Sequence, residues 1–339
     1  MTEQKKAKYS IILPVRNGGE FVKLCINSIL SQTIQDFNLI VLDNCSEDGT
    51  LEYIQSLADD RILIYTSSKP LTIEENWGRI RGLNTNEFIT MIGHDDILFP
   101  GYLAEMEKMI SSYPQASLYQ TQYTYINGKG AVIRKCKPMP AIEDGPSFLK
   151  SCLQFKIDVM GTGFMMRAAD YKRLGGIQEY PSLIFSDLEL WLKLTNINFK
   201  ATSAGDFFSY RVHQSTTLLT SNLKFLQAFE RFVYFLASLK QQDMRFSDLI
   251  PTYGRNFLLY YCKAISRRLL NAPKNKNDGL SIKLLIQKFK GYADVLECGV
   301  NFEPTSFPTI FIAKILDSNA VGRLMFLIFD KIYTKVVVK

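Results

Sequence analysis

Apolar segments too short for ordinary helices alternate with segments of helical period through the first hundred residues, and this alternation constrains the fold more than any other feature of the chain. Lys8-Tyr9-Ser10-Ile11-Ile12-Leu13-Pro14-Val15-Arg16 centres on a continuous β-favouring run closed by Pro14 and the turn Asn17-Gly18-Gly19, which predicts a buried strand. Phe21, Leu24, Cys25, Ser28 and Ile29 then recur at helical spacing, and Phe37 to Leu42 forms a second apolar strand ending at Asp43. A helix over 49–57, a strand over 62–66, a helix over 73–83 and a strand over 87–92 continue the series, the last running into Gly93-His94-Asp95-Asp96. Such alternation builds βαβ units around a largely parallel sheet. Ligands of these sheets bind beyond the carboxyl ends of the strands. The polar clusters Pro14–Asn17, Asp43–Ser46 and His94–Asp96 are therefore expected to converge on one crevice.

At 339 residues the chain has the length of two domains of roughly 150 residues each. A hydrophobic fraction of 47% excludes wholesale disorder. Cys25, Cys45, Cys136, Cys152, Cys262 and Cys298 are scattered without a CxxC pair, so neither a zinc finger nor a disulfide framework is expected, and a reducing compartment suits them. The charged start MTEQKKAKYS runs directly into a strand, leaving no place for a signal peptide, and no apolar run reaches the roughly eighteen residues of a bilayer span. The expected location is the cytoplasm, in soluble or peripheral form. No G-x-G-x-x-G follows the first strand and no G-x-x-x-x-G-K-[ST] occurs, which disfavours a dinucleotide oxidoreductase or a P-loop NTPase. Phosphates held here would need a metal or side chains, and Asp95 is placed to hold a metal.

Ser10-Ile-Ile-Leu-Pro-Val-Arg-Asn17, Ile40-Val-Leu-Asp-Asn-Cys-Ser-Glu-Asp-Gly-Thr50, Asn76-Trp77 and Glu87-Phe-Ile-Thr-Met-Ile-Gly-His-Asp-Asp96, in this order and spacing, resemble family 2 glycosyltransferases of the GT-A fold. The resemblance covers residues 9 to 217. It implies a Rossmann-like, mostly parallel α/β sheet flanked by helices, binding a nucleotide-sugar donor and an acceptor. In this family a divalent ion meets the charge growing on the diphosphate leaving group, acting as a Lewis acid. Asp95 matches its acidic motif and is the expected metal ligand; Gly93 stands where the family often has a first acid, and Asp96 is expected to orient the site. Asp43 resembles the acceptor of a hydrogen bond from uracil, with Pro14, Val15 and Arg16 lining the nucleotide pocket; as plain residues, Asp43 and Asn44 also suit a turn. Asn76 and Arg79 match a family segment near the donor, although a surface helix would carry them equally well.

Further along, Asp158 to Arg167 reads as a glycine-punctuated turn leading into a strand, and Leu174-Gly-Gly176 as the end of a short helix. The resemblance places this stretch under the acceptor, followed by an acid at a helix start, a place that Ser186-Asp187-Leu188-Glu189 fits. Asp187 is the expected catalytic base, since a positioned carboxylate that takes the acceptor's proton is worth roughly 10²–10⁴-fold. Ser186 and Glu189 also have the spacing of a capping box, which would aim Asp187 from the first turn. The only two histidines, His94 and His213, both fall at motif positions. The resemblance makes His213 a metal ligand, which with carboxylate and phosphate oxygens favours Mn²⁺ over Mg²⁺; His94 is expected against the donor. With one base and no opposing nucleophile, the expected reaction is a single inverting displacement, a UDP-α-sugar giving a β-linkage.

From residue 218 the period changes. Leu223, Phe225, Phe229, Phe232 and then Phe257, Cys262, Ile265, Leu269 recur at helical intervals, so 1–217 is expected to be the catalytic domain and 218–339 a mainly α-helical region, with Asn271–Gly279 a polar loop. The net charge of +7 is uneven: residues 218–339 hold 18 Lys and Arg against nine acids, and the first 217 hold 22 against 24. Apolar stretches with Lys331, Lys335 and Lys339 near the end suit an anionic membrane surface beside a lipid-linked acceptor, or packing against the catalytic domain or a second subunit. Gln242 to Phe246 only loosely matches a processive-synthase signature, so one hexosyl or N-acetylhexosaminyl unit per saccharide or lipid-linked acceptor is expected. Two rivals stay open. A nucleotidyltransferase would share the metal site but lack an acid at Asp187, and a noncatalytic nucleic-acid binder would use the basic region, where no RNA or DNA module is identifiable.

Overall fold

The structure, a computed structural model, describes residues 7–212, 220–299, 301–319, 321–324 and 326–328. The chain divides into two compact units, Met1–Ser215 and Thr216–Lys339. In the first, β1 (Tyr9–Val15) is buried along its whole length, as its unbroken apolar run requires, with β2 (Phe37–Asp43) parallel on one side. β3 (Ile62–Thr66) continues beyond β2, and β4 (Phe88–Met91) lies parallel on the other side of β1. Strand order therefore reverses at β1, and the switch point opens at its carboxyl end. The ladder to β4 stops at Ile12 and Met91, so Pro14, which has no N–H to offer, interrupts nothing on that side.

Beyond β4 the sheet becomes mixed. β5 is the short strand Ile97–Leu98. β9 (Phe164–Arg167) runs antiparallel between β4 and β6 (Leu118–Ile126), and β10 (Phe199–Arg211) lies parallel to β6. β7 (Val132–Lys135) pairs with β6, β8 (Ile142–Asp144) with β10, and β5 with the far edge of β10. The result is an α/β sheet with helices flanking it, as the sequence implied.

The first helix, α1 (Gly19–Leu30), buries Val22, Cys25, Ile26 and Ile29, whereas Leu24 is half exposed. Of the expected stripe, Cys25 and Ile29 are buried and Phe21 and Ser28 half-buried, with Val22 and Ile26 buried where Leu24 was expected. Phe21 lies under the Arg211 guanidinium, 4.7 Å from its ring centre. After α2 (Thr50–Ser56), the helix expected over 73–83 is α3 (Ile73–Gly78), capped by a Thr72–Glu75 box and passing into a 3-10 turn over Arg79–Gly82. α4 (Tyr102–Ser112), α5 (Gly145–Leu153), α6 (Ala168–Arg173) and α7 (Ser186–Ile197) complete the unit. Trp191 of α7 is fully buried, stacks on Phe164 at 4.4 Å and donates its indole N–H to the Met160 carbonyl, fixing α7 on the sheet.

The second unit comprises α8 (Asn222–Gln242), α9 (Leu249–Asn271), α10 (Ile282–Val295) and α11 (Pro308–Asp317). Phe229 joins three of them, with ring centres 5.7 Å from Phe257, 4.8 Å from Tyr261 and 5.1 Å from Phe289. The polar loop after α9 carries a buried residue: Asn277 donates to the Leu269 carbonyl and accepts from Asn222. All six cysteines are free thiols, and among the described residues no helix is long and apolar enough to cross a membrane.

Candidate active site

The three strand ends meet as the topology requires. After β1 and β2, Asn44 N–H donates to the Val15 carbonyl, Asn17 N–H to Ser46 Oγ, and Gly19 N–H to Asp48 Oδ2. Gly49, at φ +85°, sets the start of α2, so Asp48-Gly49-Thr50 is a structural turn. Pro14 and Val15 are buried and Arg16 is exposed at this rim. Asp43, at the tip of β2, is 1% exposed, with Ser46 N–H 3.4 Å from Oδ2 and no hydrogen-bond partner for the buried Oδ1. A buried acceptor left unpaired costs about 1–3 kcal/mol, which a ligand donor would recover.

Asn76 and Arg79 lie behind Asp43. Asn76 is buried and donates to the Leu42 carbonyl, while Arg79 donates to the carbonyls of Asp43 and Tyr65 at 3.1 and 2.7 Å and to Asn76 Oδ1. Burial lowers the Arg79 pKa and the Asp43 carboxylate opposes the shift. Their hydrogen bonds go to protein carbonyls and to each other, tying α3 to the end of β2.

The Gly93–Asp96 turn is built around Asp96, which is 1% exposed. Its Oδ1 accepts from Arg211 N–H at 3.0 Å and its Oδ2 from the Thr162 hydroxyl at 2.7 Å. Arg211 in turn donates through Nε to the Asp95 carbonyl at 2.7 Å and through Nη1 to the Asn127 carbonyl. Burial, and then the neighbouring Asp95 charge, hold the Asp96 carboxyl well above the usual range. Gly93 has a local steric reason: a Cβ there would stand 2.7 Å from Asp95 Oδ1 and 3.1 Å from Asp96 Oδ2. An acid at that position would need the turn to change shape. His94 is half-buried in the same turn.

Asp187 enters from α7. The expected capping box does not form: Phe185, at φ +68°, leads into the helix, Ser186 Oγ donates to the Leu183 carbonyl, and Glu189 is engaged by Tyr180 and Lys193. Asp187 itself accepts from Leu188 N–H at 2.8 Å. Burial pushes its carboxyl up to about 6 against that bond. Its neighbour is the 158–163 loop, where a Cβ on Gly161 would lie 3.2 Å from Asp187 Oδ2. The next residue, Thr162, is the one that holds Asp96. One dipeptide therefore links the two acidic centres. Tyr210 lies among them as well: burial, then the Asp96, Asp95 and Asp187 carboxylates, raise its hydroxyl pKa.

Thr162, Arg211 and Tyr210 carry this convergence and the sequence did not single them out. Gly161-Thr162-Gly163 falls within the stretch read only as a turn, and Tyr210 and Arg211 stand in the sequence just before His213. His213 lies outside the described residues. Among those described, no group of three metal-ligating side chains occurs. Asp96 has both carboxylate oxygens engaged within the protein.

Residues 10–175 match the family model described as glycosyl transferase family 2. An uncharacterised glycosyltransferase of Rickettsia conorii is 25% identical over 197 residues, a match spanning 56% of this chain and 31% of that relative. The UDP-Glc:alpha-D-GlcNAc-diphosphoundecaprenol beta-1,3-glucosyltransferase WfgD of Escherichia coli is 28% identical over 215 residues, covering 61% of this chain and 78% of WfgD. The solved mannosyltransferase PcManGT of Pyrobaculum calidifontis, in complex with GDP-Man and Mn²⁺, shares the fold with a TM-score of 0.51 at 12% identity, over 97% of this chain and 89% of that one.

Proposed function

The segment from residue 10 to 175 belongs to glycosyl transferase family 2, and on that premise we propose that the chain transfers one sugar from a UDP-sugar to a hydroxyl of a lipid-linked saccharide, with inversion. The observation that supports this reading is the Gly161-Thr162 link: Gly161 lies against Asp187, and Thr162 donates to Asp96 of the Asp95–Asp96 turn. Asp43 Oδ1, buried and unpartnered, suits the N–H of a uracil ring. Pro14, Val15 and Arg16 edge the same pocket, and His94 faces the donor from the turn. Asn76 and Arg79 act behind Asp43 as its support.

Asp187 takes the proton of the attacking hydroxyl. A carboxyl raised to about 6 is ionised at neutral pH yet basic enough to share a proton in the transition state. Among the described residues we assign no carboxylate the part of a nucleophile, so in this reading an α-linked donor gives a β-linked product. A divalent cation, when bound, would supply positive charge to the departing diphosphate, with Asp95 as its protein ligand, His213 as a second by family resemblance, and Mn²⁺ favoured by that nitrogen. Asp96, locked by Arg211 and Thr162, keeps Asp95 in place. The acceptor class rests on WfgD, whose name specifies a UDP-Glc donor, a diphosphoundecaprenol-linked sugar and a β-linkage. Such an acceptor puts the work at a membrane surface, in polysaccharide or glycolipid synthesis.

The test is a panel of UDP-sugars with Mn²⁺, read by thermal stabilisation and UDP release. A stabilising UDP-sugar that is consumed in the presence of a GlcNAc-diphospholipid, giving a β-anomer by NMR, is the expected result. Pyrophosphate release or a retained anomer would overturn the reading.

A further inference from the structure

The helical unit contains a groove of about 720 Å³, within the span of ligand sites of about 300–1,000 Å³. Apolar side chains from α9 and α11, among them Leu270, Ile312 and Leu316, line it. Tyr260, Lys263 and Arg267 line it too; they are spaced three and four residues apart, on one face of α9, and all three are exposed. α11 turns Ile310 and Ala313 inward, yet Phe311, Ile312 and Ile315 are about half exposed at 50%, 52% and 49%, beside an exposed Lys314. Val321, Leu324 and Ile328 extend the apolar exposure past the helix. Such a concentration of large apolar side chains on a protein surface marks a contact site.

We propose that this face docks on an anionic lipid bilayer, with Phe311, Ile312 and Ile315 among the acyl chains and Lys263 and Arg267 on the lipid phosphates. Charge selects this occupant. A second copy meeting the same patch about a two-fold axis would set Lys263, Arg267 and Lys314 against their own equivalents. In sequence, residues 329–339 carry Lys331, Lys335 and Lys339 against Asp330, a net positive charge. An anionic membrane complements both properties of the face, the basic residues steering and the apolar ones inserting. The inference needs neither donor nor acceptor and stands apart from the transfer reaction.

The experiment is flotation of the full chain with vesicles of phosphatidylcholine alone or with about 30% phosphatidylglycerol at low salt. The chain is expected to float with the anionic vesicles at least tenfold more tightly than with the neutral ones, and to be released in part at 0.5 M salt, about where screening shortens to a few ångströms. Ile312→Glu should weaken binding about tenfold or more. Lys263→Gln with Arg267→Gln should weaken it about 25-fold, about fivefold for each charge. These positions are exposed, and an unchanged melting temperature checks each variant; the salt arm needs no variant. Failure to float with anionic vesicles, or binding indifferent to both substitutions, overturns the proposal. So does a dimer by light scattering that Ile312→Glu dissolves while vesicles do not bind, which would make a second copy the occupant. UDP release measured without vesicles reports separately on the transfer reaction.

Discussion

Two buried aspartates, one in each unit, show how differently this chain spends a carboxylate. In the helical unit Asp317 is 7% exposed, with Oδ1 accepting from Arg323 at 2.9 Å and Oδ2 from Ile282 N–H at 2.8 Å. Arg323 further donates to the carbonyls of Leu269 and Ala272, so the pair ties α9, α10 and α11 together and leaves neither carboxylate oxygen unpaired. In the sheet unit Asp43 is more deeply buried and keeps one oxygen without a partner. Asp187 goes further, holding a carboxyl that burial has made reluctant to ionise. The proposed function accounts for the difference: Asp317 has its bonds within the protein, whereas Asp43 and Asp187, on that proposal, await a donor and an acceptor.

The largest effect should come from Asp187→Asn, which keeps the shape and removes the proton acceptor. Transfer is expected to fall by about 10²–10⁴-fold in kcat, measured at saturating donor and acceptor. Stability should move the other way. The folded carboxyl titrates near 6 and an unfolded one near about 3.9, so ionisation disfavours the fold increasingly as pH rises between those values and to a constant degree above them. Asn has no charge to bury, so the variant should melt no lower than wild type at pH 7.5. In the wild type, kcat/KM should rise with pH along an acid limb near 6, because only the ionised form accepts a proton, and Asp187→Asn should abolish that limb. Asp317→Ala is the counterpart. It strands Arg323 as a buried, unpaired charge and should cost about 3–5 kcal/mol in denaturant titration. A loss below about 1 kcal/mol would erase the contrast between the units.

The strands β1 to β4 were legible because each is a short apolar run closed by turn residues, and their ends named Asp43 and Asp95. The antiparallel insertion of β9 between β4 and β6 was not, since no local pattern records which strand a four-residue segment will join. The same limit hid the partners of Asp96: Thr162 is 66 residues away and Arg211 is 115, and each reaches it only through the sheet. Local rules also misled where backbone geometry intervened. The spacing of Ser186 and Glu189 fits a capping box, but Phe185 enters in a left-handed conformation and both side chains find other partners. Asn277 sits in a stretch polar enough to pass for a surface loop, yet it is buried because Asn222 and Leu269 satisfy its amide.

Asp43→Asn should sharpen the comparison from the ligand side. An amide in place of the unpartnered oxygen can present N–H groups where a uracil N–H would arrive, so UDP affinity should fall about tenfold or more by titration calorimetry. The melting temperature of the free protein should hold or rise, the opposite of Asp317→Ala.

Thr162→Val tests whether the turn that joins the acidic centres belongs with Asp317 or with Asp43. The change removes one hydroxyl at nearly constant volume and leaves Asp96 with Arg211 N–H alone. If the bond only supports the fold, the loss should be about 1–3 kcal/mol of stability with kcat intact in the surviving protein. Because Asp96 underlies Asp95, and Gly161 lies against Asp187, a loosened loop should instead lower kcat several-fold with little change in donor KM. Thr162→Ser, which restores the hydroxyl, should recover most of the rate. A rate that follows melting temperature across both variants would assign Thr162 to the fold and leave the two acidic centres without their link.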